Sequence, residues 1–140
     1  MDLPLTDMGD GTYVYTNSFF YPLAVSDGWG ETGNYDNSST ERNFHFTTEI
    51  HTMFQYTAGQ IFTFSGDDDL WIFVDGKLEM DLGGIHPERT GSINMDALTH
   101  STLVEGEKYQ MDVFHAERHT NASNFKVTTT IECFEEVIIE

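Results

Sequence analysis

Gly66-Asp67-Asp68-Asp69-Leu70-Trp71-Ile72-Phe73-Val74-Asp75-Gly76-Lys77-Leu78-Glu79-Met80 is the stretch that decides the fold. Its centre, Leu70 to Val74, is an unbroken apolar run too short for a helix. It is predicted to be a central strand covered on both faces. Asp75-Gly76 follows and then a second strand-like run, Lys77 to Met80. An Asp-Gly pair between two such runs marks a tight hairpin, because both central residues of that turn must accept a positive φ.

Strand patterns continue on both sides. Asn43 to His51 alternates, with Phe44, Phe46, Thr48 and Ile50 on one face and His45, Thr47 and Glu49 on the other. Gln60 to Ser65 repeats the pattern with Phe62 and Phe64 inward. Downstream, Glu105-Gly106-Glu107 turns the chain into Tyr109 to Phe114, and Phe125 to Cys133 supplies a further strand in which Cys133 reads as a small buried residue. No long segment has helical periodicity. The expectation is an all-β protein, an antiparallel β-sandwich with functional loops gathered at one end. Those loops are Gly66 to Asp69, Asp81 to Gly91 and His115 to Asn124. The first 42 residues read as looser, with surface loops around Gly28-Trp29-Gly30 and Asn34 to Ser39.

The chain's 140 residues suit a single domain over residues 1–140. Aromatic residues at 14% argue for a packed core rather than a solvated acidic tail. The lone Cys133 excludes an internal disulfide and a multi-cysteine zinc site. A formal net charge of −18, from 24 Asp and Glu against 6 Lys and Arg, repels phosphate backbones and anionic lipid. Nucleic acid is therefore excluded as a partner, no segment suggests membrane insertion, and cations are favoured. Acidity of this kind also serves plain solubility. Met1-Asp2-Leu3-Pro4 lacks the charged start and apolar run of a leader, so an exported form would be a module of a longer protein. The sequons at Asn37 and Asn121 are too short a signal to carry weight.

Three consecutive carboxylates leading into a buried strand crowd like charge, which calls for protonation or a cation. Hard oxygen ligands select calcium, which takes about 6–8 of them. In an extended chain Asp67 and Asp68 would point to opposite faces; a cis peptide between them would bring both to one side. The plainer reading is an Asp-rich turn that accepts hydrogen bonds from nearby amides and faces water.

The pattern from Phe64 to Gly76, with its small residue, acidic run, apolar strand and Asp-Gly, resembles the signature of the protective-antigen ("PA-fourteen") domain superfamily. Three ordered pieces resemble its fibro-slime branch: GDDDLWIFVDGKLEMDLGGIH from Gly66, GSINMDAL from Gly91 and FHAERHTNASNF from Phe114. The resemblance is strongest over residues 44–133. It implies a β-sandwich and, from the superfamily's flocculin and adhesin members, a calcium-dependent carbohydrate-binding lectin module. Such a module would be extracellular or at the cell surface, non-catalytic, and monomeric within a larger protein. By motif position an Asp-cis-Asp pair falls on Asp67 and Asp68. A second loop completes the Ca2+ site in those lectins, and here Glu117, Asn121 and Asn124 compete for that role. Sugar contacts are expected from Asp67, Asp68, Asp69, Arg118, His86 and the loop residue Trp29. Trp71 could stack on a sugar, but its place in a buried run points to the core.

His115-Ala-Glu-Arg-His119 supports a different function. On a strand, His115, Glu117 and His119 share a face, and two imidazoles with a carboxylate are a ligand set for iron or catalytic zinc. That β-sandwich metalloenzyme would need a distant third ligand, for which His86 is the one candidate. The bland alternative is a polar network fixing the loop, with Arg118 paired to a neighbouring acid. A calcium-rigidified structural adhesin module without sugar binding would have the same acidic turn.

Overall fold

The computed structural model describes residues 3–30, 32–84, 86–118 and 123–137. Among the described residues ten strands form in the order β1 (Thr6–Asp7), β2 (Tyr13–Asn17), β3 (Phe46–Gln55), β4 (Ile61–Gly66), β5 (Asp69–Val74), β6 (Lys77–Asp81), β7 (Arg89–Asn94), β8 (Lys108–Glu117), β9 (Phe125–Thr129) and β10 (Phe134–Glu136). They build two five-stranded sheets, β1-β2-β9-β4-β7 and β10-β3-β8-β5-β6, with every strand pair antiparallel. The sheets pack face to face as a sandwich. No helix among the described residues is long and apolar enough to cross a membrane.

Alternation sets the core, because successive side chains on a strand point to opposite faces. Phe62 and Phe64 from one sheet meet Leu70, Ile72, Val74, Met111 and Val113 from the other, all buried. Phe125 is the hub. Its ring centroid lies 4.6 Å from Phe20, 4.9 Å from Phe64 and 5.4 Å from His115, distances at which edge and tilted aromatic contacts are favourable.

The Asp75-Gly76 hairpin forms as expected, with φ values of 52° and 70° and Val74 paired to Lys77. A bulge follows, since Ile72 pairs with Met80 but Phe73 with Leu78, leaving Glu79 as the extra residue.

Several sequence expectations are corrected. β5 is covered on one side only: Leu70, Ile72 and Val74 have no exposure, whereas Trp71 and Phe73 point outward and are half-buried. A run of five apolar residues does not distinguish two covered faces from one covered face and one aromatic outer face. β3 begins at Phe46 and β8 runs on to Glu117, so His115 and Glu117 belong to a strand. The looser first third contains β1 and β2, and β7 was missed because Thr, Ser and Gly carry little apolar signal. Cys133 is exposed, because β9 ends at Thr129 and the alternation carries burial only as far as Ile131.

The sandwich has two unlike ends. Asp69, Gly66, Glu117, Phe46 and Phe125 lie at one, as the pairings Phe46↔Glu117, Asp69↔Ala116 and Gly66↔Phe125 show. The Asp75-Gly76 and Gly106 turns lie at the other.

Candidate functional site

The acidic turn joins β4 to β5, crossing from one sheet to the other. Gly66 is required there by space rather than by backbone angle. A Cβ on it would lie 2.6 Å from the Asn124 carbonyl oxygen and 2.7 Å from the Phe64 ring. The peptide bonds among the described residues are all trans, so the expected cis junction between Asp67 and Asp68 is replaced by another device. Asp68 takes φ 61°, a left-handed conformation that the short polar side chain of Asp tolerates. The turn is thereby reversed within one residue, and both carboxylates reach the β8–β9 connection.

Asp67 Oδ2 accepts hydrogen bonds from the Asn124 side-chain amide at 2.8 Å and from its backbone amide at 3.2 Å. Asp68 Oδ2 accepts from the Arg118 backbone amide at 2.6 Å. Asp69 accepts from the Gly84 amide and forms an ion pair with the Arg118 guanidinium. Three adjacent carboxylates thus pin three loops. All are buried, Asp68 most deeply with 1% exposure. Asp68 Oδ1 is nevertheless buried with no hydrogen-bond partner among the described residues. A buried carboxylate oxygen left unpaired is costly.

Glu117 ends the inward-facing row of β8, beyond His115, and is 1% exposed. The field of these acids is felt at Tyr21, whose phenol is pushed up to about 12, first by burial and then by Asp36, Glu117 and Asp67, against the lowering effect of Arg42. Among the described residues Asp36 is a carboxylate tied on several sides. The Ser38 hydroxyl and the Thr40 amide, with Arg42 and the Ser38 amide beside them, hold its carboxyl far below the usual carboxylate range. Arg42 in turn lies over the Tyr21 ring, 4.9 Å from its centroid. Ser123 bonds Phe20 in both directions, donating from its hydroxyl at 2.8 Å and accepting the Phe20 amide at 3.1 Å. That pair fixes where the β8–β9 connection returns to Asn124. The N-terminal third therefore buttresses the site. Sequence reading missed Tyr21, Asp36, Arg42 and Ser123, and the one available signal was the Asx-turn pattern Asp36-Asn37-Ser38.

The structure brings Asp67, Asp68, Asp69, Arg118 and Asn124 together, with Glu117 behind them. Asn121 and His119 lie outside the described residues. Trp29 is 60% exposed, with no hydrogen bond or ring contact to the acidic turn among the described residues. His86 is a loop brace: its ring nitrogens lie 2.7 Å from the Leu82 carbonyl oxygen and 2.8 Å from that of Pro87. His115 is a core residue, ringed by Phe20, Phe46, Phe64 and Phe125. Burial lowers its pKa, while the Asp67 backbone and the Asp68 and Asp69 charges act the other way. An imidazole packed by four phenyl rings is poorly placed to bind a catalytic metal.

As a cation site the donor set is chemically suitable, being hard carboxylate oxygens that include an Asp68 oxygen with no hydrogen-bond partner among the described residues. Among the described residues no group of three or more His, Cys, Asp or Glu side chains is arranged to hold a metal ion unaided.

An all-β sandwich with an acidic turn crossing between its sheets is the class that this geometry defines, and the chain belongs to the PA14 domain family, whose model matches residues 12–133. The match takes in β2 and the Asp36 loop, and so extends further towards the N-terminus than the motifs alone. Curated proteins of Dictyostelium discoideum are among those the chain is similar to. It is 42% identical to protein psiD over 93% of this chain and 25% of that protein. It is 44% identical to protein psiQ over 86% and 12%, respectively, and 39% identical to protein psiH over 87% and 17%. The chain thus spans a quarter or less of these relatives' lengths. No solved structure matches it. Family membership supports a carbohydrate-binding module in general terms.

Proposed function

We propose that this chain is a calcium-dependent carbohydrate-binding module of an extracellular or cell-surface protein, monomeric within a longer chain. The observation that carries the reading is Asp68: a buried carboxylate with one oxygen accepting from Arg118 N and the other without a partner among the described residues. Asp67 and Asp68 would hold the ion, with Asn124 and Glu117 as candidate further oxygen donors. When bound, calcium would supply open coordination positions for two vicinal sugar hydroxyls.

The chain's own residues supply the rest. Asp67 and Asp68 are acceptor-only groups and take hydrogen bonds from the same hydroxyls, giving orientation through charge-assisted contacts. Arg118 neutralises Asp69 at the rim and so limits the repulsion that the two central carboxylates must bear. Gly66 allows the Asn124 backbone to approach closely enough to close the site from below.

Unfolding in EDTA and then in calcium tests the metal. Extracellular calcium modules have Kd on the order of 10⁻⁴–10⁻³ M. A ten- to hundredfold excess then stabilises by about 1.4–2.7 kcal/mol, or roughly 3–8 °C in Tm for a domain of this size. Asp68→Ala should remove that rise and leave the β-rich spectrum intact. A glycan array read in calcium and in EDTA tests the sugar. An unchanged midpoint in calcium overturns the metal site; a calcium shift with an empty array leaves a structural role for the ion.

A further inference from the structure

The outer face of the β10-β3-β8-β5-β6 sheet carries a groove next to the acidic end. Its register defines three rows. Asp69, Ala116 and Thr47 lie opposite one another nearest the acidic turn; Trp71, Phe114 and Glu49 form the next row; Phe73, Asp112 and His51 form the third. Trp71, Phe73, Phe114, Thr47, Glu49 and Ala116 line a cavity of about 510 Å³ between these rows. The rings brace one another: Phe73 and Phe114 meet edge to face at 5.7 Å, and His51 meets Phe114 at 5.8 Å. Trp71 is fixed from the side, since a Cβ on Gly83 would come within 3.1 Å of the indole. Asp81 in turn holds the Gly83 amide at 2.8 Å.

An aromatic floor with the Glu49 carboxylate in its lining and Asp81 paired beside Trp71 has a definite chemical complement, while Asp112 in the third row is already held by His51 Nδ1 and Gln110 Nε2, each at 2.7 Å. Aromatic faces carry negative quadrupole charge and attract polarised C–H groups, while carboxylates accept from hydroxyls. A pyranose ring offers both, with C–H bonds on its faces and O–H groups at its edges. The charge on the rim argues against the competitors. An anionic polymer or lipid surface is repelled, and a second copy of this chain would set Glu49, Asp81 and Asp112 against their own copies on a molecule of net charge −18. The cavity also lies in the 300–1,000 Å³ range typical of small-ligand sites.

We propose that this groove is a second, metal-independent sugar-binding surface that takes consecutive pyranose units of a neutral glycan chain. The Asp69-Ala116-Thr47 row joins it to the acidic turn. A chain held at the turn can therefore run on over Trp71 and Phe114, and the groove also acts without calcium.

Trp71 makes the test direct, because Trp29 is the only other tryptophan. A Trp29→Phe variant, titrated in EDTA with cellotetraose, mannotetraose and laminaritetraose and with glucose and mannose, reports on Trp71 by its emission. The expected result is a saturable change with at least one tetrasaccharide, at least tenfold weaker with the matching monosaccharide. Phe114→Ala, checked for native folding by its Tm, should weaken that binding by about five- to tenfold. Glu49→Gln, which keeps shape and removes charge, should weaken it severalfold. No response to any tetrasaccharide overturns the proposal. A response that appears only with calcium also overturns it, by assigning the sugar to the acidic turn. A response that persists in Asp68→Ala supports the groove whatever the fate of the calcium site.

Discussion

Single positions at the acidic end show how little room the chain leaves for change. Gly66 has nearly ideal strand pairing to Arg89 and Phe125, so its identity is not a matter of φ. The Asn124 carbonyl occupies the place of a side chain, and backbone cannot rotate away as a flexible side chain can. Gly66→Ala is expected to cost about 1–3 kcal/mol, the range for forcing extra volume into a packed site, read as a lower urea midpoint with unchanged slope. Asp68 has the opposite character, being tolerated rather than required by the fold. In EDTA, Asp68→Asn relieves the crowding of Asp67, Asp68 and Asp69 and still offers an acceptor to Arg118 N. The EDTA midpoint should therefore stay level or rise, while the calcium-induced rise disappears; a fall in the EDTA midpoint would show that the charge stabilises the fold by itself.

Elements divide sharply into those the sequence announces and those it hides. The β5–β6 hairpin is legible because Leu70 to Val74 and Asp75-Gly76 encode it locally. β7 and β2 are silent, because Thr90, Ser92 and Thr16 are held by neighbours in the sheet, for example through the 2.8 Å Thr63–Ser92 hydroxyl contact. The carboxylates of the site were legible as a cluster, but the left-handed Asp68 was not, since its alternative conformations differ by little until the β8–β9 connection is in place. The loop around Asp36 was legible as a loop, but its bonding was hidden for the same reason: one carboxylate collects hydrogen bonds from residues that look like ordinary surface polar groups.

That loop carries a pH signature. The folded pKa of Asp36 is held below the ordinary aspartate value, first by the Ser38 hydroxyl. Its contribution is therefore complete above pH 3.8 and is lost as pH falls from there through the folded value. Wild type and Asp36→Asn should differ most in urea midpoint near neutrality, with the gap closing below about pH 4. A gap that stays constant down to pH 2.5 would show that Asp36 titrates normally.

At the scale of the whole molecule, one aromatic ring unites parts that are remote in sequence. Phe125 touches Phe20 from the N-terminal third, Phe64 from just before the acidic turn, and His115 from β8. It is paired with Gly66 in the sheet and adjoins Asn124. Phe125→Ala is expected to cost about 3–5 kcal/mol and, uniquely among core truncations of this size, to weaken calcium binding as well. Val74→Ala, at the opposite end of β5, should reduce stability without changing calcium affinity in the protein that remains folded. Comparison of the two by calcium titration at a temperature where both are native checks the distinction.

The exposed position of Cys133 has a practical consequence. β9 leaves the acidic end at Phe125 and reaches the far end by Thr129, and Cys133 follows just before Phe134 pairs with Phe54 near the end of β3. It is the chain's single thiol. Maleimide coupling through it would tether every molecule by the same pole, with Asp67 and Asp68 directed away from the support. The acidic pole would then stand uppermost across the whole surface, as a uniform brush of upright molecules.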